Sequence, residues 1–297
     1  MKEYKNCPIC KSEGFNPIRN CIDYTVSKET FKIVECESCH FQFTNPIPNE
    51  NEIGEYYESD EYVSHSNTRK GLIFSLYQKV RNKTLQDKLG LVKQYSKAKT
   101  LLDIGCGTGE FLNVCQKSGI KASGIEPSEN ARNSAIHNYD LNVQEEEHLQ
   151  HIKNESFDAI TMWHVLEHVY HLNERIETIK RILKKKGKLF VAVPNRSSYD
   201  AIKYGNFWAA YDLPRHLYHF TPKDIEHIFR LHNFKVEKVL PMKFDSYYVS
   251  MLSEKYKKGS IKYFSAFLTG LKSNYLAKRY KNNIYSSQIY ILSKTEI

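Results

Sequence analysis

The sequence lacks any long apolar run. Its first ten residues, MKEYKNCPIC, are polar, and no stretch approaches the roughly 20 apolar residues that a membrane-spanning helix needs. A cytoplasmic protein is therefore expected, for which only peripheral contact with a membrane stays open. Cysteine is sparse and odd in number. Seven cysteines in 297 residues, with no signal peptide, argue against a disulfide framework.

The rest of the composition excludes few classes of protein. Hydrophobic residues make up 41% and charged residues 26%, as in ordinary globular proteins, and the length suits one large domain with a small one. The net charge of +9 is unevenly spread, because residues 251–297 contain nine lysines and arginines against two glutamates. This excess suits a solvated basic face or an anionic partner: nucleic acid, a nucleotide-linked substrate or an anionic membrane surface.

A glycine-rich turn follows an apolar segment in the middle of the chain. TLLDIGCGTGEF, at 100–111, predicts a buried strand ending near Asp103, a turn with Gly105, Gly107 and Gly109, and then a helix. The third glycine comes one residue too early for a dinucleotide fingerprint. The turn also lacks the Lys-Ser/Thr ending of a phosphate-gripping loop. G-x-G-x-G after such a strand resembles motif I of the class I S-adenosylmethionine (SAM) methyltransferases.

The downstream segments fit the same α/β fold. A second strand is predicted at Lys121–Ile125, and Glu126 follows it about 20 residues after the glycines, where an acid accepts hydrogen bonds from ribose hydroxyls. Further strands are predicted at 141–143, 157–162, 185–195 and 284–293. In the resembling enzymes, residues just past the fourth strand flank adenine and face the methyl acceptor. The resemblance therefore assigns Met162 and Trp163 to the cofactor and His164 to the acceptor side.

Two C-x-x-C pairs near the N-terminus suggest a metal site. Cys7, Cys10, Cys36 and Cys39 could supply the four thiolates of a structural zinc ribbon over 1–48. A thioredoxin-type dithiol would leave the second pair unexplained. Cys21, Cys106 and Cys115 are expected to be packing residues.

Histidines cluster in two places. His164, Glu167 and His168 spell H-x-x-E-H, an inverted zinc-protease signature, but no third ligand is evident and the segment lies where a post-strand turn is expected. The second group precedes a helix predicted from Thr221 and Pro222. It is the aromatic and charged loop 208–219, a candidate acceptor site.

Several segments along the chain, taken together, make the resemblance more specific. The cysteine pairs, CHFQFTNPIP, EYYESDEY, the SAM motifs and PRHLYHFT look like the zinc-containing sugar C-methyltransferases and related Methyltransferase-23-type proteins. Their catalytic base lies in a Glu-His-Leu segment, whose His matches His216. Arg215 replaces the Glu, which weakens the case for deprotonation of a keto-sugar carbon. Arg215 could instead hold an acceptor phosphate or carboxylate.

These features predict a Rossmann-like seven-stranded class I methyltransferase fold with an N-terminal zinc ribbon. The SAM-binding domain should span 99–297, after a linker with helices at 49–98. The expected function is SAM-dependent methylation of a small, anionic metabolite, a sugar or nucleotide-linked sugar, with His216 as base and structural zinc. RNA base methylation is the second hypothesis, and a non-enzymatic scaffold the third.

The region past Leu240 predicts a helical insertion at about 246–283. Apolar residues recur there at helical spacing with lysines between them. They are Ile261, Phe264, Phe267, Leu268, Leu271, Tyr275 and Leu276. We expect this stripe to pack on the main domain; an active-site lid or a membrane-surface helix is the alternative.

Overall fold

The computed structural model describes residues 1–57, 72–280 and 284–295. Its strands are β1 (Phe15–Ile22), β2 (Thr30–Cys36), β3 (Gln42–Thr44), β4 (Thr100–Ile104), β5 (Lys121–Ile125), β6 (Asn142–Gln144), β7 (Phe157–Trp163), β8 (Leu183–Pro194), β9 (Tyr218–His219), β10 (Phe234–Pro241) and β11 (Ser287–Lys294). Its α-helices are α1 (Leu72–Ser96), α2 (Glu110–Lys117), α3 (Glu129–Tyr139), α4 (Leu172–Ile182), α5 (Tyr199–Tyr204), α6 (Pro222–Leu231), α7 (Asp245–Lys258) and α8 (Tyr263–Arg279).

Seven strands form the main sheet in the order β10-β11-β8-β7-β4-β5-β6. The five strands from β8 to β6 are parallel, whereas β11 pairs antiparallel with both of its neighbours. The chain runs from β4 outward to β5 and β6, then returns to β7 on the other side of β4. That reversal creates a switch point, and ligands of open α/β sheets bind at the carboxyl ends of the strands there. The predicted Rossmann-like methyltransferase fold is confirmed.

Alternation along β4 and β7 divides the apolar core between the two faces of the sheet. Leu102, Ile104 and Met162 belong to one buried cluster, and Leu101 and Trp163 belong to the other. Successive strand residues point to opposite faces, so each buried strand supplies both clusters. Six of the seven main-sheet strands lie within a few residues of the predicted positions, and β10 was not predicted.

Helix α6 begins as its sequence predicts. The Thr221 hydroxyl accepts a hydrogen bond from the Asp224 N–H, and the Asp224 carboxylate accepts one from the Thr221 N–H, with Pro222 in the first turn. This capping box satisfies N–H groups that a helix start otherwise leaves unpaired. The helix therefore starts at a fixed point just after the loop that carries His216.

The N-terminal strands form a second sheet that includes part of the large domain. Its order is β1-β2-β3-β9, and β9 comes from the loop before α6. Phe41 and Phe43 are buried beside Tyr218 and Phe220 in the same cluster as the main-sheet residues. The predicted ribbon region is therefore joined to the large domain by strand pairing and a shared core.

The insertion after β10 is a pair of helices, α7 and α8, rather than one. The prediction that its apolar stripe packs on the main domain is wrong, because Phe264, Phe267 and Leu271 are exposed while small residues of α8 face inward. Of the predicted linker, the described part comprises a short turn at Ile53–Tyr57 and α1. Most of the EYYESDEY segment lies outside the described residues. None of the described helices is long and apolar enough to span a bilayer.

Candidate functional site

The glycine turn connects β4 to α2 at the switch point. The N–H groups of Gly105 and Cys106 both donate to the Ile125 carbonyl, at 2.7 and 3.1 Å, so the turn is tied to the end of β5. Gly107 and Gly109 have φ of +55° and +84°, a region that side chains with a Cβ rarely adopt. A Cβ on Gly107 would meet no atom of the described residues within 4 Å, whereas one on Gly109 would lie 2.5 Å from Leu141. Among the described residues, Gly107 therefore borders open space, whereas Gly109 packs closely against neighbouring side chains.

Glu126 follows β5 directly, and its carboxylate braces the turn. One oxygen accepts the Gly107 N–H at 2.7 Å, and the other accepts the Ser128 N–H at 3.0 Å. Each carboxylate oxygen has a further lone pair. The carboxylate can therefore accept ligand hydroxyls without giving up its contacts with the backbone.

Asp103, near the end of β4, is buried. Its Oδ1 accepts the Thr161 hydroxyl at 2.5 Å across to β7. Burial raises the pKa of Asp103 to about 7, although the Thr161 hydrogen bond and the charge of Lys88 oppose this rise. The Asp103 carboxyl group is therefore held near the carboxyl end of β4, beside the glycine turn.

Lys88 of α1 is a site residue that the sequence-based prediction missed. Its Nζ lies 4.5 Å from the centre of the Trp163 ring, and Phe111 packs edge-on against the same ring. Burial lowers the pKa of Lys88, while the charges of Asp103 and Asp245 raise it. Lys88 lies in a segment with many lysines and no motif, so only the packing of α1 distinguishes it.

Trp163 and Met162 lie on opposite faces of the sheet. Trp163 shares its face with Asp103 and Thr161, and its indole N–H is buried without a hydrogen-bond partner among the described residues. Met162 is fully buried in the cluster on the other face. Adjacent strand residues point in opposite directions, so the Met162 side chain faces away from Trp163, and its assignment to the cofactor stays a prediction.

The residues around the turn fit SAM. Gly107 leaves room for a ligand, the Glu126 carboxylate can accept hydroxyl groups, and the Trp163 indole N–H has no described acceptor. The chain also lacks a lysine or arginine within the turn, as a cofactor without a phosphate chain allows. Both open space and polar groups thus match the predicted ligand.

His164 lies immediately after β7 in a left-handed conformation, with φ of +58°. Its Nδ1 lies 3.2 Å from Glu167 Oε1 and its Nε2 lies 3.0 Å from Asp245 Oδ2. Burial alone would lower the pKa of His164, but the two carboxylates raise it to about 10. The ring is therefore a cation at neutral pH and joins the start of α7 to the strand end.

Glu167, His168 and His216 form a second cluster beside His164. The histidine rings meet edge to face with centroids 4.6 Å apart, and one ligand atom of each of the three residues lies within 4.8 Å of the others. Glu167 is fully buried, and its Oε2 has no hydrogen-bond partner among the described atoms. Burial, helped by the neighbouring His216, lowers the pKa of His168 to about 4, so that ring is neutral.

The backbone fixes the orientation of both rings. His168 Nδ1 lies 3.0 Å from the Arg215 carbonyl, and His216 Nδ1 lies 2.9 Å from the Ala210 carbonyl. His216 Nδ1 must therefore donate, which leaves a lone pair on its Nε2 when the ring is neutral. His168 Nδ1 also lies 2.9 Å from the Tyr57 hydroxyl, which can donate to it. The H-x-x-E-H segment spans a strand end and a short turn at Leu166–His168, so it lacks the α-helix of the protease signature.

Arg215 is enclosed by other residues of the chain, and its predicted contact with an acceptor stays a prediction. It is 1% exposed, and its guanidinium donates to Asp23, Asp212 and the Tyr56 carbonyl. The Asp23 carboxylate also accepts three backbone N–H groups of its own loop. These contacts favour a role in fastening the His216 loop to the N-terminal sheet, because the guanidinium is enclosed by residues of the chain.

The four paired cysteines meet at one point. Cys7 and Cys39 have Sγ atoms 3.6 Å apart, as do Cys10 and Cys36, and all four sulfurs lie within 4.8 Å of one another. Four ligands at a zinc–sulfur distance of about 2.3 Å would lie about 3.8 Å apart. The cluster therefore has the size and donor set of a structural zinc site. Cys21, Cys106 and Cys115 lie elsewhere as buried packing residues.

Comparisons with known proteins agree with this geometry. Residues 76–239 match the Methyltransf_23 family model, described as a methyltransferase domain. Ubiquinone biosynthesis O-methyltransferases from Haemophilus ducreyi and Nitrosococcus oceani are each 32% identical, over 135 and 141 residues. These alignments cover 41% and 43% of this chain and 57% and 60% of those enzymes.

Solved structures show the same fold. A SAM-dependent methyltransferase from Archaeoglobus fulgidus matches with a TM-score of 0.50 at 19% identity, over 75% of this chain and 100% of that one. Phosphoethanolamine N-methyltransferase 2 from Haemonchus contortus matches with a TM-score of 0.51 at 15% identity, over 86% of this chain and 63% of that one. Because the family match spans more than half of its 297 residues, this chain belongs to the Methyltransf_23 methyltransferase-domain family.

Proposed function

We propose that this protein is a SAM-dependent methyltransferase that acts on a small metabolite, a sugar or nucleotide-linked sugar. The observation that carries the proposal is the glycine turn with Glu126 at the switch point. Among the described residues Gly107 borders open space there, and a Cβ on Gly105 would meet Val165, the neighbour of His164. Family membership and the names of the curated relatives support methyl transfer to a small molecule. Because the chain spans little more than half of those relatives, its activity and acceptor rest on this proposal.

The residues around the turn would hold the cofactor. Asp103, Gly105 and Gly109 shape the turn, Gly107 leaves the approach open, and Glu126 accepts the ribose hydroxyls. Trp163 covers the side toward α1 with Lys88 behind it. Bound SAM supplies an electrophilic methyl group, and the protein's task is to align an acceptor with it and to remove a proton where the acceptor carries one.

His216 is the proposed general base. The Ala210 carbonyl holds its Nδ1, so Nε2 is available to accept a proton. Glu167, buried nearby with one unpartnered oxygen, would stabilise the imidazolium that forms. His164, with both ring nitrogens bonded to Asp245 and Glu167, would present positive charge to the acceptor side and hold these two carboxylates in place.

The function is tested by methylation with SAM over nucleotide sugars, phenols and RNA, with product mass as the readout. A methylated sugar product is expected. A product formed only on RNA would favour the base-methylation hypothesis, which the basic composition and the N-terminal four-cysteine site support. Calorimetry that detects no SAM binding would refute the proposal in every form.

Variants test the assigned base. His216→Ala should lower kcat about 10²–10⁴-fold, as loss of a general base does, and leave the SAM affinity within about twofold. His137→Ala, at an exposed position on α3, is the matched control and should retain full turnover. Full turnover of His216→Ala would refute the base assignment alone.

A further inference from the structure

Helix α8 exposes an apolar face to solvent. Phe264 is 77% exposed, Tyr263 61%, Tyr275 57% and Phe267 54%. Leu268 and Leu271 are about half exposed on the same side. We call these six residues the outer face of α8. Single exposed apolar residues are normal on protein surfaces, but a contiguous set marks an interaction site.

The opposite face of α8 is built from small residues, and this fixes which side points outward. Its buried residues are Ala266, Thr269, Gly270, Ser273 and Ala277. A Cβ on Gly270 would lie 2.6 Å from the Tyr247 ring, and the Ser273 hydroxyl donates to buried Asp200 at 2.6 Å. The helix cannot rotate its large residues inward, since the space against α7 and α5 admits only small ones.

Among the described residues of α8 and the residue before it, the charges that border the outer face are all positive. Lys272, Lys278 and Arg279 are exposed on α8 and Lys262 precedes it, whereas α8 contains no acidic residue. The two acids of α7 are occupied, because Asp245 bonds to His164 and Glu254 is buried among the Ser265, Tyr204 and Lys258 side chains. Two copies meeting through this face would bring like charges together, while an anionic surface would complement it.

We propose that the outer face of α8 docks on an anionic lipid membrane. Aromatic and leucine side chains would enter the headgroup boundary, and the lysines and arginine would contact lipid phosphates, as in helices that lie in the membrane interface. The hairpin begins at Asp245, which contacts His164. The helix pair that carries the outer face is therefore connected to the candidate acceptor site through Asp245.

Vesicle co-sedimentation of the full chain tests the proposal. The wild type should bind vesicles of phosphatidylcholine and phosphatidylglycerol, at a ratio of about two to one, at least about tenfold more tightly than pure phosphatidylcholine. The triple variant Phe264→Ser/Leu268→Ser/Leu271→Ser should lose about tenfold in partitioning, because it removes apolar area that would enter the lipid. Lys278→Glu/Arg279→Glu should weaken binding to the anionic vesicles only.

A double variant controls for general surface effects. Ile136→Ser/Leu231→Ser replaces residues that are 44% and 53% exposed on α3 and α6 and should bind as the wild type does. Binding is measured without substrate, so its result is independent of methyl transfer. Equal binding of the wild type and the triple variant would overturn the proposal. So would a wild-type dimer that fails to bind vesicles and that the triple variant converts to a monomer, since the face would then join two copies.

Discussion

Arg215 shows how burial changes the function expected of a charged residue. Beside His216 in sequence it suggests anion binding, yet its guanidinium lies between Asp23 and Asp212. Its own charge and hydrogen bonds hold the pKa of Asp23 below its usual range against the effect of burial. The interaction therefore joins residues that are far apart in the chain.

Replacing Arg215 should destabilise the fold. Arg215→Ala leaves the buried Asp23 carboxylate and the partly exposed Asp212 carboxylate without their partner, and loss of the buried pair costs about 3–5 kcal/mol of unfolding free energy. Arg230→Ala, at an exposed position of α6, should change it by less than about 0.5 kcal/mol. Both values are measured by urea denaturation. A stable Arg215→Ala protein with a raised KM for its acceptor would restore the acceptor-binding role.

His164 should contribute stability that depends on pH. Its pKa rises to about 10 in the folded state from an ordinary value near 6.5, so its contribution is complete below about pH 6.5 and is lost as the pH rises through 10. Asp245→Asn removes one of the carboxylates responsible and should lower the pKa of His164. NMR titration of the ring measures this, with the His137 signal as an internal control. An unchanged titration would contradict the assigned ion pair.

At the scale of the element, two glycines of the same turn are required for different physical reasons. A Cβ on Gly109 would collide with Leu141 and Ala135, whereas Gly107 faces open space among the described residues. Both glycines have positive φ. The first requirement concerns packing and the second concerns a ligand. Sequence spacing alone gives no such distinction between the two glycines.

Alanine substitutions at the two glycines should distinguish the packing requirement from the ligand requirement. Gly109→Ala should cost about 1–3 kcal/mol from overpacking, in addition to about 1–2 kcal/mol of backbone strain. Gly107→Ala should incur only the strain yet weaken SAM binding about tenfold or more, since its methyl group projects toward the proposed ligand space. Thermal melts and calorimetry measure the two effects. Normal SAM affinity in Gly107→Ala would place the cofactor elsewhere.

For the whole molecule, the N-terminal sheet and the large domain share β9 and one apolar cluster. Unfolding of the cysteine ribbon would therefore expose Tyr218 and Phe220 and release Arg215 from Asp23. We expect the two parts to unfold together rather than as independent domains. The strand pairing of β9 and the contact of Arg215 with Asp23 join the two parts, and both involve the loop that carries His216.

Zinc removal should therefore lower the stability of the entire chain. Cys36→Ser should abolish the single zinc ion expected per chain and lower the Tm of the whole unfolding transition, because structural zinc contributes its binding free energy to folding. Cys21→Ala, in β1 but away from the sulfur cluster, should retain the metal. Elemental analysis and calorimetry measure both. A zinc ion that survives in Cys36→Ser and disappears in His216→Ala would locate the metal at the histidine cluster instead.

Local signals in the sequence were sufficient to predict much of the fold. Apolar runs located the strands, the Thr221 cap located the start of α6, and the glycine spacing predicted the turn between β4 and α2. Each depends on residues close together in the chain, where backbone preferences and burial patterns act directly. Helical spacing in α8 was also recognised, but periodicity reveals a stripe without saying whether protein or solvent covers it.

The sequence by itself determined six of the seven strands of the main sheet, the glycine turn with its acid, and the four cysteines. Only the tertiary structure decided that Lys88 reaches Trp163, that Arg215 is enclosed by Asp23 and Asp212, and that the large side chains of α8 face outward. The physical reason is that these outcomes depend on charges and volumes contributed by segments distant in sequence. Such contacts form only when the sheet, its loops and the helical pair pack together.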